Sequence, residues 1–311
     1  MLTRFTARTP LRSLTSSLLL SSFRPSNLQP FNHRATTALQ HTMSTSSFKL
    51  DPKIFNRALY DGLVETWFAG VDTSGQEFDM SITKRWFMQT PSERAAFDSH
   101  CRAAFAHAIE AIGPREFPDA TAQPFLDELQ RITEKHNGDK SSEEAAWTAL
   151  SMTLLLDQIP RNLYRTNDGL KLVYEHYDRM ALSLVRALLS PSSSPISRPD
   201  LHPVFRLSSP HRTWFYMPFQ HSEDIANHDF TDAIIAELEG EVQQLEGYNG
   251  TKMLLGGYNK AAKQHRDVLE KFGRYPHRNA ALGRESTEEE KRFLQEGGAT
   301  FGVVQDKDAP V

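Results

Sequence analysis

The chain has 311 residues, of which 39% are hydrophobic and 24% charged, enough for a sizeable buried core in a soluble globular protein. Its formal charge of -4 hides an asymmetry: residues 1 to 50 hold six of the 35 basic residues and no acid, so the remainder stands at -10, which excludes broad nucleic-acid or anionic-membrane binding. A single cysteine, Cys101, excludes an internal disulfide framework and a cysteine-based zinc cluster.

Residues 1–42 are rich in Arg, Ser, Thr and Leu, lack acids, and have a short amphipathic stretch from Leu11 to Leu20 before Pro25 and Pro30. That composition predicts a mitochondrial transit peptide and a matrix location for the long form. Leu18 to Leu20 is too short an apolar run to span a bilayer, which takes ~20 residues. Met43 offers a second start and hence a cytoplasmic form, with 43–50 as a linker to one all-helical domain over 51–311.

From Asp51 the periodicity is helical almost throughout. Asp51 and Pro52 predict a capped start, followed by an apolar stripe of Ile54, Phe55, Ala58, Leu59, Leu63 and Trp67. Thr90 to Glu93 forms a capping box ahead of Cys101, Phe105, Ala108 and Ile112, a spacing that makes Cys101 a core residue, until Gly113 and Pro114 stop the run. Further stripes cover 125–132, 145–156, 170–189, 230–245 and 253–272. Alternating strand-like runs are scarce. The fold class expected is all-α, with antiparallel helices stacked in a tetratricopeptide-like array, although no exact repeat of ~34 residues is visible. The Ser- and Pro-rich stretch after Leu189 predicts a flexible surface loop over 190–212.

Three polar clusters interrupt this scaffold. The first, Asp157 to Arg165, comes at the end of an apolar helix, and Pro160 turns Arg161 and Asn162 out beside the helix C-terminus, where cations meet the negative end of the dipole. An Asp157–Arg161 pair that only caps the helix explains it equally well. The second runs from Trp214 to Asp224, an aromatic wall leading into His221, Ser222 and Glu223; a histidine there can hold a proton near neutral pH, or Ser222 can simply cap the next helix. The third runs from Phe272 to Arg284. Gly273 suits a left-handed C-cap, Pro276 prevents resumption, and Thr287 to Glu290 restarts a helix. The segments Pro160-Arg161-Asn162 and Pro276-His277-Arg278-Asn279 echo one another.

Together the three clusters predict one crevice. His221, Glu223 and His277 are its candidate acid–base groups. Asp157, Arg161, Asn162, Arg165, Arg274, Arg278, Asn279 and Arg284 line it, and Trp67, Trp214 and Tyr216 wall it. Guanidinium forks suit carboxylate or phosphate, so the expected partner is a small anionic metabolite. His221, Glu223, His265 and His277 could supply metal ligands, yet no His-Glu-x-x-His or cysteine pair is present, and neither a metal nor a cofactor is expected. The rival expectation is a helical scaffold that pairs these arginines with Asp157, Glu223 and Glu285 and binds a protein or peptide partner.

Several of these residues also carry a family resemblance. Trp67-Phe68, the run from Leu155 to Arg165, the run from Tyr216 to Glu223, and Phe272 to Asn279 with Leu282 to Thr287 resemble the family called domain of unknown function 924, over roughly 51–300. The resemblance implies an all-helical, tetratricopeptide-like body and no particular activity. The leader and the loop after Leu189 look like additions to the family pattern.

Overall fold

The computed structural model describes residues 48–303 apart from 88, 191–194 and 197. The expected transit peptide therefore lies outside the described residues. Among those residues the secondary structure is helical, with no strand. The helices run in order α1 Arg57–Phe68, α2 Ser81–Phe87, α3 Pro91–Ala111, α4 Gln123–Lys135, α5 Glu143–Asp157, α6 Ile159–Leu163 and α7 Asn167–Leu172. A π-turn, Val173–Tyr177, leads into α8 Asp178–Leu189. Beyond it lie α9 Ser209–Arg212, α10 Met217–Gln220, α11 Ile225–Gln243, α12 Asn249–Phe272, α13 Asn279–Leu282 and α14 Glu288–Gln295.

Helix α5 is the axis of the fold. From Ala145 to Asp157 every residue except Trp147 is buried, and it packs against α1, α4, α6 and α8. A helix that is apolar all round has nowhere to go but the centre. Its few hydroxyls are satisfied within: Ser151 Oγ donates to the Tyr60 and Trp147 carbonyls, and Thr153 to the Ala149 carbonyl. Because α5 ends on Asp157, a carboxylate is delivered into the interior, where it needs a partner.

Local signals place most of the boundaries. Thr90 and Glu93 close the capping box on α3, and Thr287 with Glu290 does so on α14. Gly273 ends α12 at φ 68°, the left-handed cap. Cys101 is fully buried between α3 and its neighbours. The start of α1 departs from expectation. Asp51 caps only a turn, its carbonyl accepting from the amides of Ile54 and Phe55, and Asn56 is the N-cap, its Oδ1 accepting from Ala58 and Leu59. Asn56 wins because its side chain reaches two free amides at once.

The stretch 190–212, expected as a flexible loop, also departs from expectation over its second half. Pro199–Leu201 is a 3₁₀ turn, and Asp200, Ser208, Ser209, His211 and Arg212 are buried. The reason is a charge network. Asp200 receives both Arg198 nitrogens at 2.7 and 2.6 Å and the Tyr216 hydroxyl at 2.9 Å, and that hydroxyl accepts from Arg212 Nε at 2.6 Å. No helix among the described residues is long and apolar enough to cross a membrane.

Candidate functional site

The buried end of α5 organises the site. Asp157 Oδ1 lies 2.7 Å from His221 Nδ1, and Asp157 Oδ2 accepts from Gln158 Nε2 at 2.6 Å. Burial alone would push this carboxyl up. The charges of His221 and Arg161, with the hydrogen bonds from His221 and Gln158, hold it below its ordinary value instead. An ionised carboxylate only accepts, so His221 donates through Nδ1 and is left with Nε2, which has no hydrogen bond among the described residues.

Arg161, one turn beyond Asp157, donates through Nη1 to the Asp157 carbonyl at 2.7 Å and grips Asp178 with both nitrogens at 2.6 and 3.0 Å. Asp178 opens α8 directly after the π-turn, which also carries Tyr174. The wider turn of a π-segment shifts the register of the helix beyond it, and such turns recur at functional sites. Tyr174 lies under Arg278, whose guanidinium carbon is 4.5 Å from the Tyr174 ring centroid and 4.7 Å from that of Tyr275. Arg278 Nη2 donates to the His221 carbonyl at 2.8 Å, tying the third cluster to the second.

Of these groups Arg161, Tyr174, His221 and Arg278 border a cavity of about 330 Å³. Trp67, Arg161, Asn162, Arg165, His221, His277 and Arg278, all expected at the site, line it. Residues with weak sequence signals join them: Arg85, Trp86, Phe87, Arg94 and Phe97 from α2 and α3, Tyr174 from the π-turn, His265 from α12, and Phe301. Arg85 and Arg94 sit in ordinary surface-helix contexts, so nothing in their spacing marked them. A neighbouring cavity of about 300 Å³ holds Glu223, Ser222, Asp178 and Arg284, and His221, Tyr174 and Arg278 border both.

Other expected members stand elsewhere. Glu223 takes Arg284 bidentately at 2.9 and 2.9 Å and accepts the Tyr275 amide at 2.9 Å; despite its burial, these contacts hold its carboxyl low. It locks the 273–284 turn, and Asp157 is the group that orients His221. Arg274 is bidentate to Glu290 at 2.7 and 2.8 Å, and Asn279 donates to Ser286 and Glu290, so both brace α14. Tyr216 belongs to the Asp200 network, away from the cavity. Trp214 stands behind the wall, edge-on to Trp67 at 5.1 Å. Asn162 and Arg165 share Asp98, Arg165 bidentately at 3.0 and 2.7 Å. His277 lines the cavity, and burial first, then Arg278, drives its pKa down to about 2, which keeps the imidazole neutral near pH 7. Among the described residues, no three His, Cys, Asp or Glu side chains gather in a way that could hold a metal ion.

Comparison with known proteins bears on this arrangement. The family described as bacterial protein of unknown function, DUF924, matches residues 63–298. The chain belongs to that family. All three polar clusters fall inside the matched span, so the Asp157–His221 pair and the Arg278 bridge are built from the shared DUF924 portion of the chain. Among solved structures, the chain is similar to a protein of unknown function from Agrobacterium tumefaciens, at 27% identity over 79% of this chain and 100% of that one, with a TM-score of 0.45. No curated protein matches.

Proposed function

We propose that this DUF924 protein binds a small metabolite bearing a phosphate or carboxylate in the cavity beside His221. We propose further that the imidazole moves a proton during hydrolysis or group transfer. The charge of the lining carries the reading. Arg85, Arg94, Arg161, Arg165 and Arg278 border the cavity, and no carboxylate among the described residues does. Arg161 and Arg165 are neutralised by Asp178 and Asp98, whereas Arg85 donates only to the Trp67 and Ala69 carbonyls, Arg94 has no carboxylate partner among the described residues, and Arg278 feels Glu223 only through space, without an ion pair. Uncompensated guanidinium charge beside a low-dielectric wall favours an oxyanion. In hydrolysis, His221 Nε2 would take a proton from water as it adds and return it to the leaving group, with Asp157 stabilising the imidazolium between the two steps.

A thermal-shift screen of phosphorylated and carboxylated metabolites on the full chain tests this. Binders should raise the melting temperature of the native chain and lose that effect in Arg94→Gln. A screen without a single oxyanion binder sinks the reading.

A scaffold reading draws support from the clamps Arg161–Asp178, Arg165–Asp98, Arg274–Glu290 and Arg284–Glu223, which hold loops without any ligand. In that reading a groove takes a protein or peptide partner. Tetratricopeptide-like stacking over one domain from 51 to 311 belongs with it, supported by the packing of α11 on α12 across a short connection. The matrix location of a long form and a cytoplasmic form from Met43 rest on the leader's composition. N-terminal mass spectrometry of the protein in both compartments tests them, and one mature end upstream of Met43 removes the second.

A further inference from the structure

The cavity lining is of two kinds, and its aromatic part is not explained by charge. Trp67, Trp86, Phe87 and Phe97 line one side. Their rings are held by one another and by Trp214: Trp67 meets Phe97 at 5.8 Å, Trp86 meets Trp214 edge-on at 5.2 Å, and Phe87 lies flat on Trp214 at 5.8 Å. Phe87 is nonetheless 60% exposed, the most exposed of the large apolar side chains among the described residues. An aromatic residue fixed by a stack yet left open to water marks a surface that something flat and apolar can cover.

Polar atoms on three of the lining residues also have an unmet demand. Trp67 Nε1, the Tyr174 hydroxyl and Arg278 Nε, all on residues that border the cavity, are buried without a hydrogen-bond partner among the described residues. Indole and guanidinium N–H groups only donate, and because these atoms are covered by neighbouring side chains, an acceptor completes them only where those side chains shift on binding. The volume of about 330 Å³ is at the small end of ligand pockets, room for a ring and one charged group.

We infer that the ligand class is a small aryl oxyanion, or one with an equally flat apolar group, resting its ring on the Trp67–Trp86–Phe87–Phe97 side and its phosphate or carboxylate toward Arg94 and Arg278. This rests on the anion-binding reading above and narrows it. Mixed sites of this kind orient a ligand through a few polar groups while the apolar wall supplies affinity.

Titration of the full chain with phenyl phosphate, benzoate, inorganic phosphate and benzyl alcohol decides it. The readouts are tryptophan fluorescence and melting temperature, since three of the four tryptophans stand in or behind the wall. Phenyl phosphate or benzoate should bind roughly tenfold or more tighter than inorganic phosphate, with quenching, and benzyl alcohol should not bind. Phe87→Ser, a change at an exposed side chain, should fold normally and shrink the margin over inorganic phosphate to about threefold or less. Inorganic phosphate binding as tightly as phenyl phosphate overturns the aryl inference and leaves the anion reading standing. Benzyl alcohol binding as tightly as phenyl phosphate, or none of the four binding, overturns both.

Discussion

His221 Nδ1 and Asp157 Oδ1 meet at 2.7 Å across 64 residues of chain, joining the end of the central helix to the turn after α10. Asp157 is fully buried, so removing its charge leaves His221 without its carboxylate partner in a low-dielectric setting, while Arg161 keeps Asp178. Asp157→Asn is expected to cost about 3 kcal/mol of unfolding free energy, more than His221→Gln, and to abolish any turnover that the native chain shows. Urea unfolding measures the first effect. A loss under ~1 kcal/mol would mean the pair is not holding the fold.

Arg94, on α3, lines the cavity with no side-chain hydrogen bond or ion pair among the described residues. Arg94→Gln should therefore leave the melting temperature within about 2 °C while removing most oxyanion-induced stabilisation. Arg278 does not separate ligand binding from folding in this way. It is 7% exposed, lies against the Tyr174 and Tyr275 rings and bonds the His221 carbonyl, so Arg278→Ala should lose stability and ligand response together. Differential scanning fluorimetry of both variants, with and without a binder, checks the contrast.

Three histidines predict acid lability. Burial pushes His211 down to about 4, His265 to about 3 and His277 to about 2. In the unfolded chain each titrates near 6.5, so below that pH the unfolded state binds protons that the folded state refuses. Stability should be full above pH ~6.5 and fall by roughly 1.4 kcal/mol per pH unit for each of them on acidification. Denaturant midpoints from pH 7 to 5 give the slope; a flat profile would show that these side chains are not sealed from water.

Glu290 has the opposite sign of group but the same direction of loss. The Arg274 hydrogen bonds, ahead of the opposing effect of burial, bring its pKa down to about 2 from 4.5. Its stabilisation is present above pH ~4.5 and is lost as pH falls toward 2, worth on the order of 2 to 3 kcal/mol in full. The gap between native chain and Glu290→Gln should thus be wide at pH 7, narrow below pH ~4.5 and close only as pH approaches 2. Paired unfolding curves at those pH values read it directly.

Gly273 caps α12 at φ 68°, and a Cβ placed there meets nothing within 4 Å. Only backbone strain should then oppose Gly273→Ala, about 1 to 2 kcal/mol, or a fall of roughly 2 to 8 °C in melting temperature. Gly273→Asn should recover part of it, since Asn tolerates the left-handed region. Equal melting temperatures for native and Ala chains would deny the strain.

The amino-acid sequence by itself determined whatever neighbours along the chain decide. Helical periodicity, the boxes at Thr90 and Thr287 and the left-handed cap at Gly273 arise from contacts within a turn or two, the apolar stripe of α3 marked Cys101 for the core, and each stands where it was read. The gathering of Arg161, His221 and Arg278 was legible only as three clusters rich in one chemistry. Their meeting, and the choice of partner for each charge, belonged to the tertiary structure. Which carboxylate meets His221 was decided by packing, which placed Asp157 at the buried end of α5 and gave Glu223 to Arg284. Asp200 drew Tyr216 out of the site, and Arg85 and Arg94 entered it from helices whose sequence marks no site. The physical reason is range. Caps and helical stripes are set by bonds between residues a few positions apart, whereas ion pairs spanning more than sixty residues are selected by where the apolar core lets a charge come to rest.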